Sequence, residues 1–353
     1  MILTDSMLEA AFNFRNAEPW KDLTDSDIFA VMLSDGTKVY CSIMGHGGMH
    51  HALCIYIGDA GFSTFLMTLA ADRMKPIEGM LASIEFDCIN CDFMQAKDMD
   101  DEVKEVIRDY AKRKSIKIPR KNGWIDFTRH TPYKGQWHIT NDHDAFVAEE
   151  ALRAATFFAK EFEGKSYTDV NLDPMGQYPT PEGGKQIPLI TTDETGAYHI
   201  SVTTTPPLMA YEYIKPEFDN DILIRLIKAP KKGGDLECRL QHLPIPVTEK
   251  GGDEPDIMGL LLLVDKASGE VVQPLSTHDY PYNVQKLLAE FAMGMSSLGL
   301  NPKQICVSDE KTYNLIEDFC RKCGILLVKV KSMPQTDEVC MTLLHGMMMQ
   351  GAF

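Results

Sequence analysis

Three carboxylates stand where oxygen ligands of a metal would be expected to meet. Asp265 closes the leucine-rich apolar run "LLLLVD"; Asp309 closes "QICVSD" forty-four residues later; Glu338 falls near the start of the last predicted helix. Carboxylates at neighbouring strand ends, joined by one on a late helix, make a site for Mg²⁺ or Mn²⁺, hard ions that prefer oxygen. Two such ions polarise a phosphodiester and activate a water. On that reading Asp265, Asp309 and Glu338 are the catalytic set of a divalent-metal phosphodiesterase or nuclease, or of a degenerate relative, with Asp265 and Asp309 as metal ligands. Each residue also has a plainer role. Asp265 precedes "KASG" and accepts turn hydrogen bonds, Asp309 caps the following helix, and Glu338 complements the dipole at a helix start.

Other chemistry-bearing residues give weaker patterns. Cys88 with Cys91 and Cys320 with Cys323 have zinc-ligand spacing, but 228 residues separate Cys91 from Cys320 and the second pair lies on an apolar helical face. His46, His50 and His51 crowd "GHGGMHHALC", yet a strand sends His50 and His51 to opposite faces. A basic stretch, Lys104 to Lys134, holds ten Lys or Arg against three acids. Within it Lys112, Arg113, Lys114, Lys117, Arg120 and Lys121 with Trp124 are candidate nucleic-acid contacts, cations beside a stacking ring. The default reading of that stretch is the solvated face of a helix with a basic last turn. No nucleophile elbow, zinc-protease helix or dinucleotide turn occurs.

These residues need elements to hold them. A chain of 353 residues exceeds one ordinary core, and 44% apolar with 24% charged residues is a globular balance. The net charge of -16 repels phosphate backbones outside a local basic patch. With no signal-peptide pattern, no apolar run long enough for a bilayer, and nine cysteines, the expected setting is the cytoplasm with no membrane. The pattern predicts an α+β N-terminal domain over 1–170, a linker over 171–188, a mixed β-hairpin middle over 189–252 and a C-terminal α/β domain over 253–353. The middle is read as two hairpins, "PLITTDETGAYHISVTTTPP" and "ILIRLIKAPKKGGDLECRLQHLPIPV". The last hundred residues read as ββαβαβα, which implies parallel strands joined by crossovers.

"WKDLTDSDIFAVMLSDGTKVYCSIMG", "HHALCIYIG", "CINCDF" and "TPYKGQW" resemble the N-terminal part of a group of uncharacterised bacterial proteins, and "LLLLVDKASGEVV" through "CRKCGILL" resembles the domain found with it. The resemblance implies a two-part bacterial cytoplasmic protein and carries no activity. The C-terminal pattern also resembles the ribonuclease H and integrase fold, except that "STHDYPY" is a poor third antiparallel strand. The first functional expectation is therefore a non-enzymatic binding or interaction module without a cofactor. A protein partner or self-association is its expected mode, ahead of nucleic acid. The metal-dependent phosphodiesterase is the alternative.

Overall fold

The computed structural model describes residues 1–71, 83–165, 180–209, 211–248, 254–278 and 280–349. Contacts gather into two compact units, Met1–Pro132 with Gln136–Ala210, and Tyr133–Gly135 with Tyr211–Phe353. Among the described residues there are eight α-helices and two mixed sheets. The expected middle domain is divided: residues 189–210 belong to the first unit and 211–252 to the second. Residues 171–179 of the expected linker lie outside the described residues.

In the first unit an eight-stranded sheet runs β6-β5-β4-β3-β2-β1-β7-β8. Its strands are β1 Phe29–Met32, β2 Lys38–Met44, β3 His51–Ile57, β4 Cys88–Met94, β5 Trp124–His130, β6 Trp137–His138, β7 Gln186–Thr192 and β8 Tyr198–Thr204. All neighbours are antiparallel except β1 with β7. Period-two alternation sorts the side chains. Val39, Cys41, Leu53, Ile55, Ile89, Cys91, Phe93, Ile125 and Phe127 pack on one face with α1 Asp5–Ala17, α3 Asp101–Arg113 and α4 Asp142–Phe162. Tyr40, Cys54, Tyr56 and Cys88 point the other way, towards Phe62, Phe65 and Leu66 of α2 Gly58–Ala71. Helix α1 was not legible in the apolar pattern, although Thr4 marks its start by accepting from Met7 N at 3.1 Å.

In the second unit a five-stranded sheet runs β11-β10-β9-β12-β13, formed by β9 Leu236–Val247, β10 Asp256–Asp265, β11 Val271–Thr277, β12 Gln304–Val307 and β13 Leu326–Lys329. Strands β9, β10 and β11 form an antiparallel meander, and β12 and β13 add in parallel to β9. The helices are α5 Asp221–Lys228, α6 Val284–Ser297, α7 Glu310–Cys323 and α8 Pro334–Met349. Two expectations change here. "ILIRLIK" is helix α5, started by Asn220, whose side chain accepts from Leu223 N at 3.1 Å; a short apolar run fits either period, and the cap decides it. The second arm of the expected hairpin, β9, belongs instead to the C-terminal sheet, so from β9 onward the order is βββαβαβα and β9 is the centre of the sheet.

Candidate functional site

Strand register separates the two aspartates. Asp265 is opposite Leu236 at the start of β9. On the other side of β9, Cys306 of β12 is opposite Glu237, which puts Asp309 level with Leu240. The bond from Leu240 N to Thr312 Oγ1, 2.9 Å, holds that level. Four β9 positions are ~13 Å along the strand and two strand spacings ~10 Å across it. Each aspartate is satisfied where it stands. Asp265 Oδ1 accepts from Ala267 N at 3.0 Å, Ser268 N at 2.8 Å and Ser268 Oγ at 3.0 Å, and these bonds, led by that from Ser268 N, hold its carboxyl below the ordinary range. Asp309 caps α7 by accepting from Thr312 N at 2.7 Å and Thr312 Oγ1 at 2.9 Å. Glu338 lines a cavity of about 380 Å³ beside Ser268 and Gly269, the turn that Asp265 organises. The structure thus brings Glu338 to the turn of Asp265 and leaves Asp309 apart.

What does converge at the end of β12 is a cation with its partners. Arg239 projects from β9, where its Nη2 lies 2.7 Å from Asp337 Oδ1 and donates to Ser308 Oγ at 3.0 Å. Burial works against its charge, but Cys340, Asp337 and Asp309 outweigh it, and the guanidinium is held above its ordinary value. Two positions earlier on the same face, the buried carboxylate of Glu237 accepts from Thr336 N and Thr336 Oγ1, both at 2.9 Å, in the first turn of α8. Asp337 is thus the helix residue that reaches the strand ends, one position before the expected Glu338. One residue turns a helix by about 100°, and the sequence alone does not fix that phase. Among the described residues no group of three or more His, Cys, Asp or Glu is arranged to hold a metal ion.

In the first unit the basic stretch separates into parts with different roles. Lys112, Lys114, Lys117 and Arg120 are exposed at and beyond the end of α3, while Arg113 makes a two-pronged pair with Asp5 at 2.5 and 2.7 Å. Trp124 is buried in the core under the Arg108 guanidinium, 5.3 Å from the ring centre, so it offers no face to a nucleobase. Lys121 opens onto a cavity of about 440 Å³ lined also by Arg15, Trp20, His51 and Asn122.

The face of the sheet that bears Asn90 and Asp92 gathers titratable groups. His50 Nε2 is 2.8 Å from Asp92 Oδ1, and Asp126 stands directly opposite Asp92 across β4 and β5. Asp126 Oδ1 is buried without a hydrogen bond, with His138 Nδ1 at 3.9 Å. Burial raises its carboxyl, His138 works against that rise, and Asp92 adds to it. Asn90 Nδ2 donates to His130 Nε2 at 3.3 Å, and burial lowers the His130 imidazole. The pairing of carboxylates across a strand pair was missed in the sequence because it depends on register, not spacing.

The cysteine pairs form no centre. Cys88 and Cys91, three apart on a strand, face opposite sides of the sheet, and Cys320 and Cys323 are buried on the apolar side of α7. All nine thiols are free and buried. His50 and His51 do diverge, His50 to Asp92 and His51 to Asn122, and His46 Nδ1 donates to the Trp20 carbonyl at 3.1 Å.

Fold and site together define a two-part mixed α/β protein whose strand-end centre in the second unit is a fixed ion pair. Residues 5–175 match the family model described as Domain of unknown function (DUF7309), and residues 223–344 match that described as Domain of unknown function (DUF6930). No curated protein and no solved structure matches the chain. No helix among the described residues is long and apolar enough to cross a membrane.

Proposed function

We propose that the chain is a non-enzymatic binding module whose second unit is a ribonuclease H-like sheet with a built-in cation in place of a metal centre. The strand order β11-β10-β9-β12-β13, with β10 antiparallel to its neighbours, supports the fold reading. The position of Arg239 carries the functional one. Its guanidinium occupies the convergence of β9, the end of β12 and α8, with Asp337 as its counter-ion. A divalent ion brought there meets a like charge, and the nearest acidic groups are already engaged. The free, buried thiols support the expected bacterial cytoplasm, where thiols stay reduced. For a protein partner or a second copy, Ile222 and Leu226 of α5 are large exposed apolar side chains.

The test is a calorimetric Mn²⁺ titration of the intact chain and of Arg239→Asp, run beside cleavage of a labelled single-stranded oligonucleotide in Mn²⁺. The proposal expects no specific Mn²⁺ uptake and no cleavage by the native chain, with uptake appearing in Arg239→Asp. Cleavage by the native chain that Asp309→Asn abolishes would overturn it in favour of the Mg²⁺- or Mn²⁺-dependent phosphodiesterase.

A further inference from the structure

In a chain where acids outnumber bases by 51 to 35, two cations face one cavity and, among the described residues, neither has a carboxylate partner. Arg15 stands in the last turn of α1, and Lys121 in the turn that leads into β5. Glu18, the acid that lines the same cavity, is engaged by Lys21. The Arg15 guanidinium lies below its ordinary value, burial being the cause and Glu18 only a partial offset, which is how a cation behaves without a paired anion.

The groups around these cations are held in place. Arg15 Nε donates to the Asn122 carbonyl at 2.7 Å, and Asn122 Nδ2 donates to His51 Nδ1 at 2.6 Å. The His51 imidazole is lowered by burial first and then by the charges of Lys121, His50 and Arg15, so at neutral pH it is uncharged with its proton on Nε2. Its ring stands edge-on to Trp20 with centroids 4.5 Å apart. A Cβ at Gly45 would come within 2.8 Å of that ring, so the glycine is what lets the imidazole sit there. Two non-glycine residues at the rim, Glu18 at φ 46° and Asn122 at φ 51°, hold left-handed backbone. Such strain costs ~1–3 kcal/mol for each residue and gathers at ligand clamps.

We infer that this cavity binds a small organic phosphate, its phosphoryl group between Arg15 and Lys121 and its flat, less polar part against Trp20. About 440 Å³ is the size of a pocket for a nucleotide-sized molecule. Two cations match the charge of a phosphate monoester, and a guanidinium donates through its N–H fork to phosphate oxygens. A half-buried indole beside the cations supplies an apolar wall for a ring. The cavity lies wholly within the first unit, and ligand binding there stands independently of the Mn²⁺ result for the second.

The experiment is calorimetric titration of the full chain with adenosine monophosphate, adenosine and inorganic phosphate, with thermal unfolding of each variant as a folding control. The monophosphate is expected to bind most tightly, with adenosine and phosphate each weaker by about tenfold or more. Lys121→Gln, an exposed turn substitution, should weaken the monophosphate by about tenfold while leaving thermal unfolding unchanged. Arg15→Lys, which keeps the charge but loses the bond to Asn122, should also weaken it. Three outcomes would each overturn the inference: no monophosphate binding to the folded native chain; equal affinity in native and Lys121→Gln; or binding of oligonucleotides alone, which would move the ligand to the exposed cations beyond α3.

Discussion

Arg239 Nη2 and Asp337 Oδ1, 2.7 Å apart, tie the central strand of the second unit to the start of its last helix. The arginine end is mostly buried, with 19% of its side chain exposed, whereas the aspartate end is 45% exposed. Solvent at that second end keeps the pair weaker than a fully buried one. Arg239→Ala should therefore lower unfolding free energy by about 1–2 kcal/mol, part of it from leaving Ser308 without its donor. Urea unfolding measures this. A loss of under about 0.3 kcal/mol, within ordinary surface effects, would show that the pair is not holding β9 to α8.

Glu237 accounts for the other bond to that helix. Its carboxylate is 2% exposed and takes both the amide and the hydroxyl of Thr336. Glu237→Ala removes the acceptor and leaves two donors in a dry place, at about 2–3 kcal/mol. Thr336→Val removes only the hydroxyl and should cost about 1 kcal/mol. Equal losses in the two variants would place the effect in packing and not in the cap.

Asp309 and Arg239 show where sequence reading works and where it stops. "SDEKTYNLIEDF" announces a capped helix, because a cap bonds three residues ahead and the apolar period follows at once, and Gly324 ends it at φ 67°. Asp265 before "KASG" was legible as a turn acceptor for the same local reason. Arg239 was not legible: its meaning depends on Ser308, 69 residues away, and on the phase of α8. Strand β9 is legible as a strand, but its place in the C-terminal sheet is hidden because "ILIRLIK", just before it, fits a strand as well as a helix and makes the two read as a separate hairpin. The cavity of Arg15 and Lys121 is likewise assembled from distant segments: the sequence shows Lys121 only as one charge in a basic run and His51 only as one of a histidine cluster, and nothing local joins them to Arg15 and Trp20.

The thiols give a chemical check on both sheets. Burial pushes the Cys88 thiol up to about 12 and the Cys323 thiol up to about 11, and all nine side chains are shielded. A thiol reagent at pH 8 should modify none within minutes in the native chain and nine after guanidinium denaturation. Zinc colorimetry should find no tightly bound metal released on thiol modification. Two fast-reacting thiols in the native chain would mean that a Cys-x-x-Cys pair is accessible.

His242 makes the second unit sensitive to acid. It is 2% exposed, faces Tyr133 and Tyr280, and accepts from Lys311 Nζ at 2.8 Å through Nδ1. Burial first, and the Lys311 ammonium second, lower its imidazole well below the ordinary value of 6.5. The unfolded chain then takes up a proton that the folded chain refuses. The stability tied to neutral His242 is complete above pH ~6.5 and falls as pH drops below it. His242→Gln should cost about 1–2 kcal/mol at pH 8 and flatten the decline between pH 7 and 5. His51 and His130 contribute with the same sign, so the difference between the two curves is the quantity to read. Parallel curves would remove His242 as the source.

Asp126 has the opposite sign. Its carboxyl is raised above the ordinary 3.8, by burial first, against the pull of His138 and with the help of Asp92. The folded chain therefore holds this proton to higher pH than the unfolded chain does. Stability falls as pH rises from about 3.8 through the raised value, and the cost persists at neutral pH. Asp126→Asn removes the charge and should stabilise the first unit at pH 7 by on the order of 0.5 kcal/mol, a gain kept small because His138 loses a neighbour. At pH ~3.5 the native carboxyl is protonated and the two proteins should converge. A native chain more stable than Asp126→Asn at pH 7 would show that the Asp126 charge is held by a favourable partner and that burial does not govern its carboxyl.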